Sequence, residues 1–207
     1  MPRRPRIPRP PGRSDWVPPP LPQRNGLLSA VFANAFQDLR IGVSVWMSSR
    51  FWHVIHWADG IARFERQLGV LPRRWEHNER CLKSAVRDRK AVRGEHCGFQ
   101  DLFVPVPDGR RVEGVLVAGQ YAVAPPTARE VLEKWYALSG LQGRLSDPVF
   151  ARYLSECLSL LTLDGALLDS FEKLMTCYAN MLGGQGDPAA LGREAAIARE
   201  ALSSARL

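Results

Sequence analysis

The sequence predicts one α/β (α+β) domain, with an antiparallel sheet, several flanking helices and a helical C-terminal third. Two observations carry this prediction. The β-rich runs 99–106 and 111–119 are separated by a short turn, and helical patterns with recognisable caps fill 127–206. The chain has 207 residues, of which 45% are hydrophobic and 24% charged. These values are typical of one globular domain with tails.

Residues 1–25 differ in composition from the rest of the chain. They hold six arginines, one acidic residue (Asp15) and nine of the sixteen prolines. Because proline cannot donate a backbone hydrogen bond, this segment is predicted to be a disordered arm. Its net charge of +5 leaves +2 of the chain total of +7 for the remainder. The folded domain is therefore close to neutral, and we place it at 26–183, followed by a linker and connector at 184–207.

The front of the domain is predicted to contain helices around one strand. Apolar residues at helical spacing predict a helix over 27–39, and a β-branched, partly alternating run predicts a strand over 41–47. An apolar stripe with a period near 3.6 predicts a helix over 50–67, with a strand over 51–57 as the competing prediction. A third helix is predicted over about 75–89.

The two β-rich runs are predicted to form a hairpin. Asp108-Gly109 lies between them, and glycine accepts the positive φ that a tight turn requires. Both faces of the first run are partly apolar, as in a strand inside a covered sheet. Pro105 indicates a bulge or a sheet edge. Gly114 and Gly119 are expected to let a helix pack close to the second run.

The C-terminal third is predicted to be helical. Thr127 and Glu130 form the pattern of a capping box, and Asp147 and Asp164 are N-cap candidates for the helices that follow. The last pattern, 189–206, is Ala-rich and has little apolar surface, which predicts a connector or a coiled-coil stub that leads to a further domain. The helices are predicted over 127–138, 147–161, 164–183 and 189–206.

The hairpin region resembles the core of the PocR-type sensory domain. The relevant residues are 95–106 (EHCGFQDLFVPV) and 112–120 (VEGVLVAGQ). That family shows a Cys-His-x-Gly stretch leading into a strand that ends in apolar-Pro-apolar, then a turn and a Gly-rich strand ending near Gly-Gly-Gln. Here the order His96-Cys97 is reversed, and Cys81 stands alone where the family often has a Cys-x-x-Cys pair.

The resemblance implies a PAS- or GAF-like module at the front of a bacterial signalling protein. Domains of this type precede the output domains of transcription regulators, histidine kinases and nucleotide cyclases, and are thought to bind small organic ligands. It implies an output domain or protein as partner. A cytoplasmic location is expected because the cysteines at 81, 97, 157 and 177 have no short repeated spacing and no secretory-signal pattern is recognisable. No cofactor is expected. A homodimer is a further expectation.

Aromatic residues and a few polar groups near the hairpin indicate a ligand pocket. Small-molecule sites are mostly apolar, with a few convergent polar groups. The alternative is that the aromatic residues are ordinary core. The predicted ligand-binding residues are Trp46, His96, Phe99, Asp101, Gln120 and Tyr121.

Metal binding is not expected, although four residues are weak candidates. Imidazole and thiolate are good zinc ligands, and His77 and Cys81 are four residues apart on a predicted helix. His96 and Cys97 follow in sequence, but no paired C-x-x-C spacing accompanies them. The favoured interpretation is that Cys81 is buried and His77 faces solvent.

Catalysis is not expected either. The sequence contains no phosphate-binding loop, no G-x-S-x-G and no H-E-x-x-H pattern. Asp101 and Glu113 are predicted as cross-strand neighbours, but paired carboxylates in a hairpin are more often solvated than catalytic.

We therefore expect a sensory module, with two other functions left open. One is an interaction or dimerisation module with a filled core that uses its terminal helices as the interface. The other is a DNA-associated regulator acting through the basic arm, although no helix-turn-helix with a basic recognition helix is recognisable. No apolar run approaches the roughly 20 residues that a membrane span needs, so no membrane association is expected.

Overall fold

The structure is a computed structural model and describes residues 36, 39–47, 52–58 and 60–204. The predicted arm at 1–25 and most of the helix predicted at 27–39 lie outside these residues. Within the described part, the predicted α+β fold is confirmed: an open antiparallel sheet of five strands is combined with six helices.

The sheet has the strand order β2-β1-β5-β4-β3, and every neighbouring pair is antiparallel. The predicted hairpin, now β4 and β5, supplies the longest pairing, and β5 is the central strand. The strands are β1 (Gly42–Met47), β2 (Trp52–His56), β3 (Val92–His96), β4 (Phe99–Asp108) and β5 (Arg111–Tyr121).

Three of the helices begin at the caps that the sequence indicates. In the capping box the Thr127 backbone nitrogen donates to Glu130 (2.7 Å), and the Glu130 nitrogen donates to the Thr127 hydroxyl (3.2 Å). Asp147 and Asp164 accept from the first turns of their helices. The helices are α1 (Ala62–Gln67), α2 (Leu71–Asp88), α3 (Ala128–Ser139), α4 (Pro148–Ser159), α5 (Gly165–Leu182) and α6 (Pro188–Ser204).

The helix predicted over 50–67 is wrong in its first half. Trp52–His56 is a strand that pairs with β1, with Trp46 opposite Trp52, and only Ala62–Gln67 is helical. Aromatic and β-branched side chains fit a pleated surface, and this preference outweighs the helical spacing of the apolar residues. The competing prediction of a strand over 51–57 is therefore the correct one.

The strand β3 was not predicted. It pairs with β4 through a two-residue turn, Cys97-Gly98, in which both residues have positive φ, 52° and 79°. Positive φ at both central residues defines a type I′ turn, whose twist matches that of the flanking strands. Cysteine is unusual at the first of these positions, and β3 contains a single β-branched residue, Val92. The sequence signal for this hairpin is therefore weak.

The outer part of β4 forms a sheet edge. β3 pairs with β4 only from Phe99 to Phe103, so among the described residues no strand pairs with the later part of β4 on that side. Pro105 and Pro107 occupy this stretch, and the register shifts between Val106 and Pro107. Of the two predictions for Pro105, the sheet edge is confirmed, whereas the bulge lies beyond it, after Val106. Prolines here remove backbone donors that another strand could use.

Helices cover both faces of the sheet. On one face, α5 and α6 pack over residues such as Val45, Val104 and Leu116. On the other face, α2 packs its Leu82 and Ala85 against β4 and β5. At the end of the sheet near the β3–β4 turn, α1, α3 and α4 enclose a third apolar cluster. The end of the sheet that carries this turn is therefore enclosed by helices from several parts of the chain.

The last helix is attached to the domain. Leu191 and Ala198 of α6 are buried in the same core as α5. The division of the chain near Gly183 stays a prediction, but α6 has an apolar face that packs against its neighbour.

Gly114 and Gly119 do not accommodate a helix, contrary to the expectation from sequence. A Cβ atom at Gly114 would overlap the carbonyl oxygen of Trp46 on β1, and one at Gly119 would overlap the Asp101 carboxylate on β4. Both glycines permit close approach between neighbouring strands.

We expect Gly114→Ala to lower the free energy of unfolding by about 1–3 kcal/mol, because the added methyl group must displace the β1 backbone. The control is Gly192→Ala in α6, where a Cβ atom meets no heavy atom within 4 Å. That substitution should raise stability by about 0.5–1 kcal/mol. Urea denaturation measures both, and equal effects of the two substitutions would contradict the close strand approach.

Candidate functional site

A group of polar side chains is buried where β3, β4 and β5 meet α1 and α2. Buried polar groups require hydrogen-bond partners, and buried charges require opposite charges. We call this group the polar cluster. Its members are Glu65, Arg74, His77, His96, Asp101 and Gln120.

Arg74 of α2 is the centre of the polar cluster. Its Nε and Nη2 atoms donate to the two carboxylate oxygens of Glu65 on α1, at 2.9 and 2.6 Å. Its Nη1 atom donates to Oδ2 of Asp101 on β4. A guanidinium presents several donors in a fixed plane, so one side chain can bind two carboxylates at once. Arg74 therefore joins two helices to the sheet.

A bulge in β5 contributes Gln120 to the same group. Tyr121 pairs with Gln100 and Gly119 pairs with Asp101, so Gln120 is an extra residue between two register positions. Its Nε2 atom donates to Oε1 of Glu65 at 3.1 Å. β-bulges commonly redirect a side chain in this way.

The two histidines of the polar cluster lie side by side. The ring centroids of His77 and His96 are 5.3 Å apart. Nε2 of His77 is 3.7 Å from Oδ2 of Asp101, and Nε2 of His96 is 3.7 Å from Oε1 of Glu65. The expectation that His77 faces solvent is wrong, because its residue is only 3% exposed. Its helix turns this residue toward the sheet, together with Cys81.

The surroundings raise the pKa of His77 and lower the pKa of His96. Burial disfavours the charged form of His77, but the nearby Asp101 carboxylate and Cys81 thiol outweigh it and raise the pKa to about 9. Burial lowers the pKa of His96 to about 4, and the charges of Arg74 and His77 act in the same direction. At neutral pH, His77 is therefore a cation and His96 is neutral.

The carboxylate of Asp101 and the guanidinium of Arg74 stabilise each other's charged forms. Burial alone would raise the pKa of Asp101, but Arg74 and His77 outweigh it and lower this pKa. Burial alone would lower the pKa of Arg74, but Asp101 and Glu65 raise it.

Only some of the predicted ligand-binding residues come together. His96, Asp101 and Gln120 belong to the polar cluster, and Phe99 lies beside it in the apolar cluster of α1, α3 and α4. The other two lie elsewhere. Trp46 packs with Trp52 under α2, and Tyr121 is buried in the core on the opposite face, 6.3 Å from the Phe171 ring. Adjacent strand residues point to opposite faces, which separates Tyr121 from Gln120.

The metal candidates come partly together. Sγ of Cys81 is 3.8 Å from Nε2 of His77, and Cys97 occupies the turn after His96. Among the residues that the structure describes, no group of three or more His, Cys, Asp or Glu side chains could hold a metal ion.

The predicted carboxylate pair in the hairpin is wrong. Asp101 lies opposite Gly119, whereas Glu113 lies near the turn, next to the register shift between Val106 and Pro107. A hairpin that turns between Asp108 and Arg111 brings Asp101 opposite residue 118 or 119, so Glu113 is too close to the turn to face it.

Five aromatic rings border the polar cluster, and we call them the aromatic cluster. The Tyr153 ring lies 5.0 Å from that of Trp135 and 5.4 Å from that of Phe64. The two clusters adjoin because Phe64 precedes Glu65 in α1 and Phe99 pairs with His96 across the β3–β4 turn. The members are Phe64, Phe99, Trp135, Phe150 and Tyr153.

Three buried polar atoms at these clusters have no hydrogen-bond partner within the described part of the chain. They are Nε1 of Trp135, the hydroxyl of Tyr153 and Nε2 of His96. The hydroxyl lies near the Cys157 thiol, one helical turn away. Sulfur is a weak acceptor, and the contact lacks hydrogen-bond geometry, so we regard this hydroxyl as unpaired. Unpaired buried polar atoms are uncommon in folded proteins and call for an explanation.

Glu65, Arg74 and Tyr153 were not predicted as site residues, and Trp135 was treated only as one of several tryptophans in the domain. A signal for the first two was present. Glu65 falls between Phe64 and Leu68 in the apolar stripe of its helix, and Arg74 shares a helical face with His77 and Cys81. Charged residues on an apolar face indicate buried pairing.

Comparisons of the chain with protein-family models, with curated proteins and with solved structures find no match. The resemblance to PocR-type domains therefore rests on the sequence of the hairpin region. No helix in the described part of the chain is both long enough and apolar enough to cross a membrane.

We predict that Arg74→Met lowers the free energy of unfolding by about 3–5 kcal/mol, because two buried carboxylates lose their cation. The matched control is Arg93→Met. Arg93 also contacts two acids, Asp169 and Glu172, but at an exposed position. Its loss should cost less than about 1 kcal/mol. Urea denaturation at pH 7 compares the two, and similar losses would contradict a central role for Arg74.

The histidines predict a stability maximum near pH 6.5. The raised pKa of His77 gives stability that is complete below 6.5 and lost as pH rises through about 9. The lowered pKa of His96 makes stability fall as pH drops from 6.5 through about 4. On each side of the maximum, along the acid limb and along the alkaline limb of the pH profile, the free energy of unfolding should fall by about 2–3 kcal/mol.

Urea denaturation from pH 4 to 10 measures these limbs. We expect His77→Leu to flatten the alkaline limb relative to the natural protein, and His96→Leu to flatten the acid limb. Unchanged limbs in both variants would disprove the assignment.

Proposed function

We propose that this chain is a non-enzymatic sensory module that binds a small organic ligand where the polar and aromatic clusters meet. One observation carries the proposal: unpaired buried donors of Trp135 and Tyr153 and the unpaired Nε2 of His96 lie at adjoining clusters. Apolar walls with a few polar groups are the usual composition of a small-molecule site. A ligand would supply the partners that these atoms lack.

Binding is favoured over catalysis by how the polar cluster is paired. Glu65 and Asp101 are engaged by Arg74, and His77 lies beside Asp101. Nucleophilic catalysis needs a nucleophile in contact with a base that a third group orients. The Cys97 thiol is a poor nucleophile, since burial and the nearby Glu65 raise its pKa.

A path from the site to the last helix supports the sensory part of the proposal. β3 carries His96 on the cluster side, and its Arg93 binds Asp169 and Glu172 of α5 on the other side. Helix α6 then packs against α5 through Leu191. A shift of β3 on ligand binding would therefore reach α6 through contacts that already exist.

The expected setting follows from the resemblance to PocR-type domains. We propose a cytoplasmic location, a bacterial role in signalling and transcription regulation, and an output domain or protein as the partner of α6. We propose no cofactor, no membrane association and no specific nucleic-acid binding.

A protein-interaction module is the second candidate. Leu132 and Tyr136 lie one turn apart on α3 and are 44% and 61% exposed, and Ile197 of α6 is 53% exposed. Exposed apolar groups on helices favour contacts with a second copy or another protein. Homodimerisation is the simplest form of this candidate.

Thermal denaturation of the full chain with a set of small organic compounds tests the proposal. A compound that binds the native state raises the melting temperature, by an amount equivalent to about 2.7 kcal/mol at one hundred times its Kd. We expect His96→Ala and Phe99→Leu to abolish the increase. Trp46→Phe is the control, since Trp46 lies outside both clusters, and it should retain the increase.

Hydrogen exchange of the same samples tests the relay. The active compound should increase protection in α5 and α6 of the natural protein and have a smaller effect in Arg93→Ala. If no compound gives a cluster-dependent increase, and Leu132→Ala with Tyr136→Ala converts a dimer into a monomer, the second candidate replaces the first.

A further inference from the structure

The outer side of helix α2 carries a line of positive charges. Arg73, Arg80 and Arg87 are all exposed and are spaced seven residues apart. Because seven residues make nearly two helical turns, their side chains lie along one side of the helix, with about 10 Å of helix axis between neighbours. Lys83 lies beside this line, and its side chain is 64% exposed. We call these four residues the basic face.

Acidic neighbours leave the basic face accessible. Glu79 pairs with Lys83 at 2.6 Å, and Asp88 pairs with Arg87 at 2.7 Å, but every one of these side chains is at least 44% exposed. Ion pairs at such exposed positions contribute little energy and are screened by salt. Both cations can therefore exchange their acidic partner for another anion.

The positive charge of the folded part is concentrated in and just after α2. Residues 71–90 contain seven basic and three acidic residues, a net charge of +4, whereas the whole of 26–207 carries +2. The rest of 26–207 therefore has a net charge of −2. Of the seven basic residues only Arg74 is buried, and the other six are exposed. Charge of one sign concentrated on one surface attracts polyanions.

The inner side of α2 holds the helix on the sheet. Leu82 and Ala85 pack against β4 and β5, and Arg74 forms buried ion pairs with Glu65 and Asp101. The backbone that carries the basic face is therefore fixed before any partner binds. A partner that matches its spacing pays only for ordering the side chains.

The composition of α2 selects among anionic partners. A helix that binds a membrane surface inserts its apolar side into the lipid, but the apolar side of α2 packs on the sheet. Val86, at 36% exposed, is the only large hydrophobic residue of this helix that is exposed. A straight row of cations about 20 Å long instead matches a nucleic acid, whose phosphates are spaced regularly along a rod. Because α2 has no exposed aromatic ring on which unpaired bases could stack, a duplex fits better than a single strand.

We propose that the basic face binds the phosphate backbone of duplex DNA without reading the base sequence. This surface lies outside the proposed ligand site and does not depend on it. Arg74 and His77 of the polar cluster lie on the inner side of the same helix. The ligand site and the DNA-binding surface would thus share one helix.

Fluorescence anisotropy of the full chain with a labelled DNA duplex tests the proposal. We expect binding that weakens with salt, with the logarithm of the association constant falling by about 0.9 per logarithmic unit of salt for each phosphate contact. Two duplexes of unrelated sequence should bind equally, since contacts to phosphate carry no sequence information. A protein that does not bind either duplex at low salt would overturn the proposal.

A triple variant removes the line of arginines. Arg73→Gln, Arg80→Gln and Arg87→Gln together should weaken binding at least about tenfold at low salt and reduce the salt slope by about 2 to 3, because three phosphate contacts are lost. The triple variant with Lys at the same positions keeps the charges and should bind like the natural protein. Since all three positions are exposed, the melting temperatures of both variants should stay within a few degrees of the natural value.

A second triple variant is the matched control. Arg129→Gln, Arg144→Gln and Arg152→Gln together remove the same charge from exposed positions on α3, α4 and the loop between them. This variant should leave the salt slope unchanged. If both Gln variants weaken binding equally, or neither does, the DNA is held by net charge or by the arginines of 1–25, and the proposal is wrong.

Two other polyanions test the choice of partner. Vesicles of phosphatidylglycerol and phosphatidylcholine represent a membrane, and polyglutamate represents an acidic protein segment. The natural protein should bind duplex DNA more tightly than either. Tighter binding to vesicles or polyglutamate that is lost with Arg73, Arg80 and Arg87 would overturn the proposal, while failure to find a small organic ligand would leave it intact.

Discussion

The arrangement of this domain depends on the two ion pairs of the Arg74 guanidinium. It binds Glu65 of α1 and Asp101 of β4, and thereby fixes two helices against the strand that carries the hairpin. Replacing a buried ion pair by apolar residues is often neutral for stability, whereas removing one partner is costly. The cluster is therefore better explained by a need for these polar groups at this place than by a need for stability.

Strand β3 contacts the polar cluster on one face of the sheet and helix α5 on the other. β3 contributes Gly94 beneath the cluster, where a Cβ atom would overlap the Cys81 thiol and crowd His77. The preceding residue, Arg93, reaches the acidic residues of α5. Because strand residues alternate between faces, a short edge strand can contact both layers of helices. The polar cluster and helix α5 thus both contact this one strand.

The sequence predicted much of the fold but only part of the candidate site. Strong local signals, such as the Asp-Gly turn and the capping box at Thr127, determine their elements without help from distant residues. β3 was missed because its residues have low strand propensity and its pairing with β4 stabilises it. The partners of Arg74 are nine and 27 residues away, and a bulge sets the position of Gln120. Such contacts arise from tertiary packing, which local patterns do not encode.

The prolines of β4 have a consequence for assembly. Pro105 and Pro107 lie on the stretch of β4 that β3 leaves uncovered, so this length of the sheet offers few donors to an incoming strand. The remaining sheet edges, β2 and β3, are each only five residues long. Growth of the sheet from one molecule into the next is therefore disfavoured. Higher-order complexes of this protein should therefore form through its helical surfaces rather than by joining sheets edge to edge.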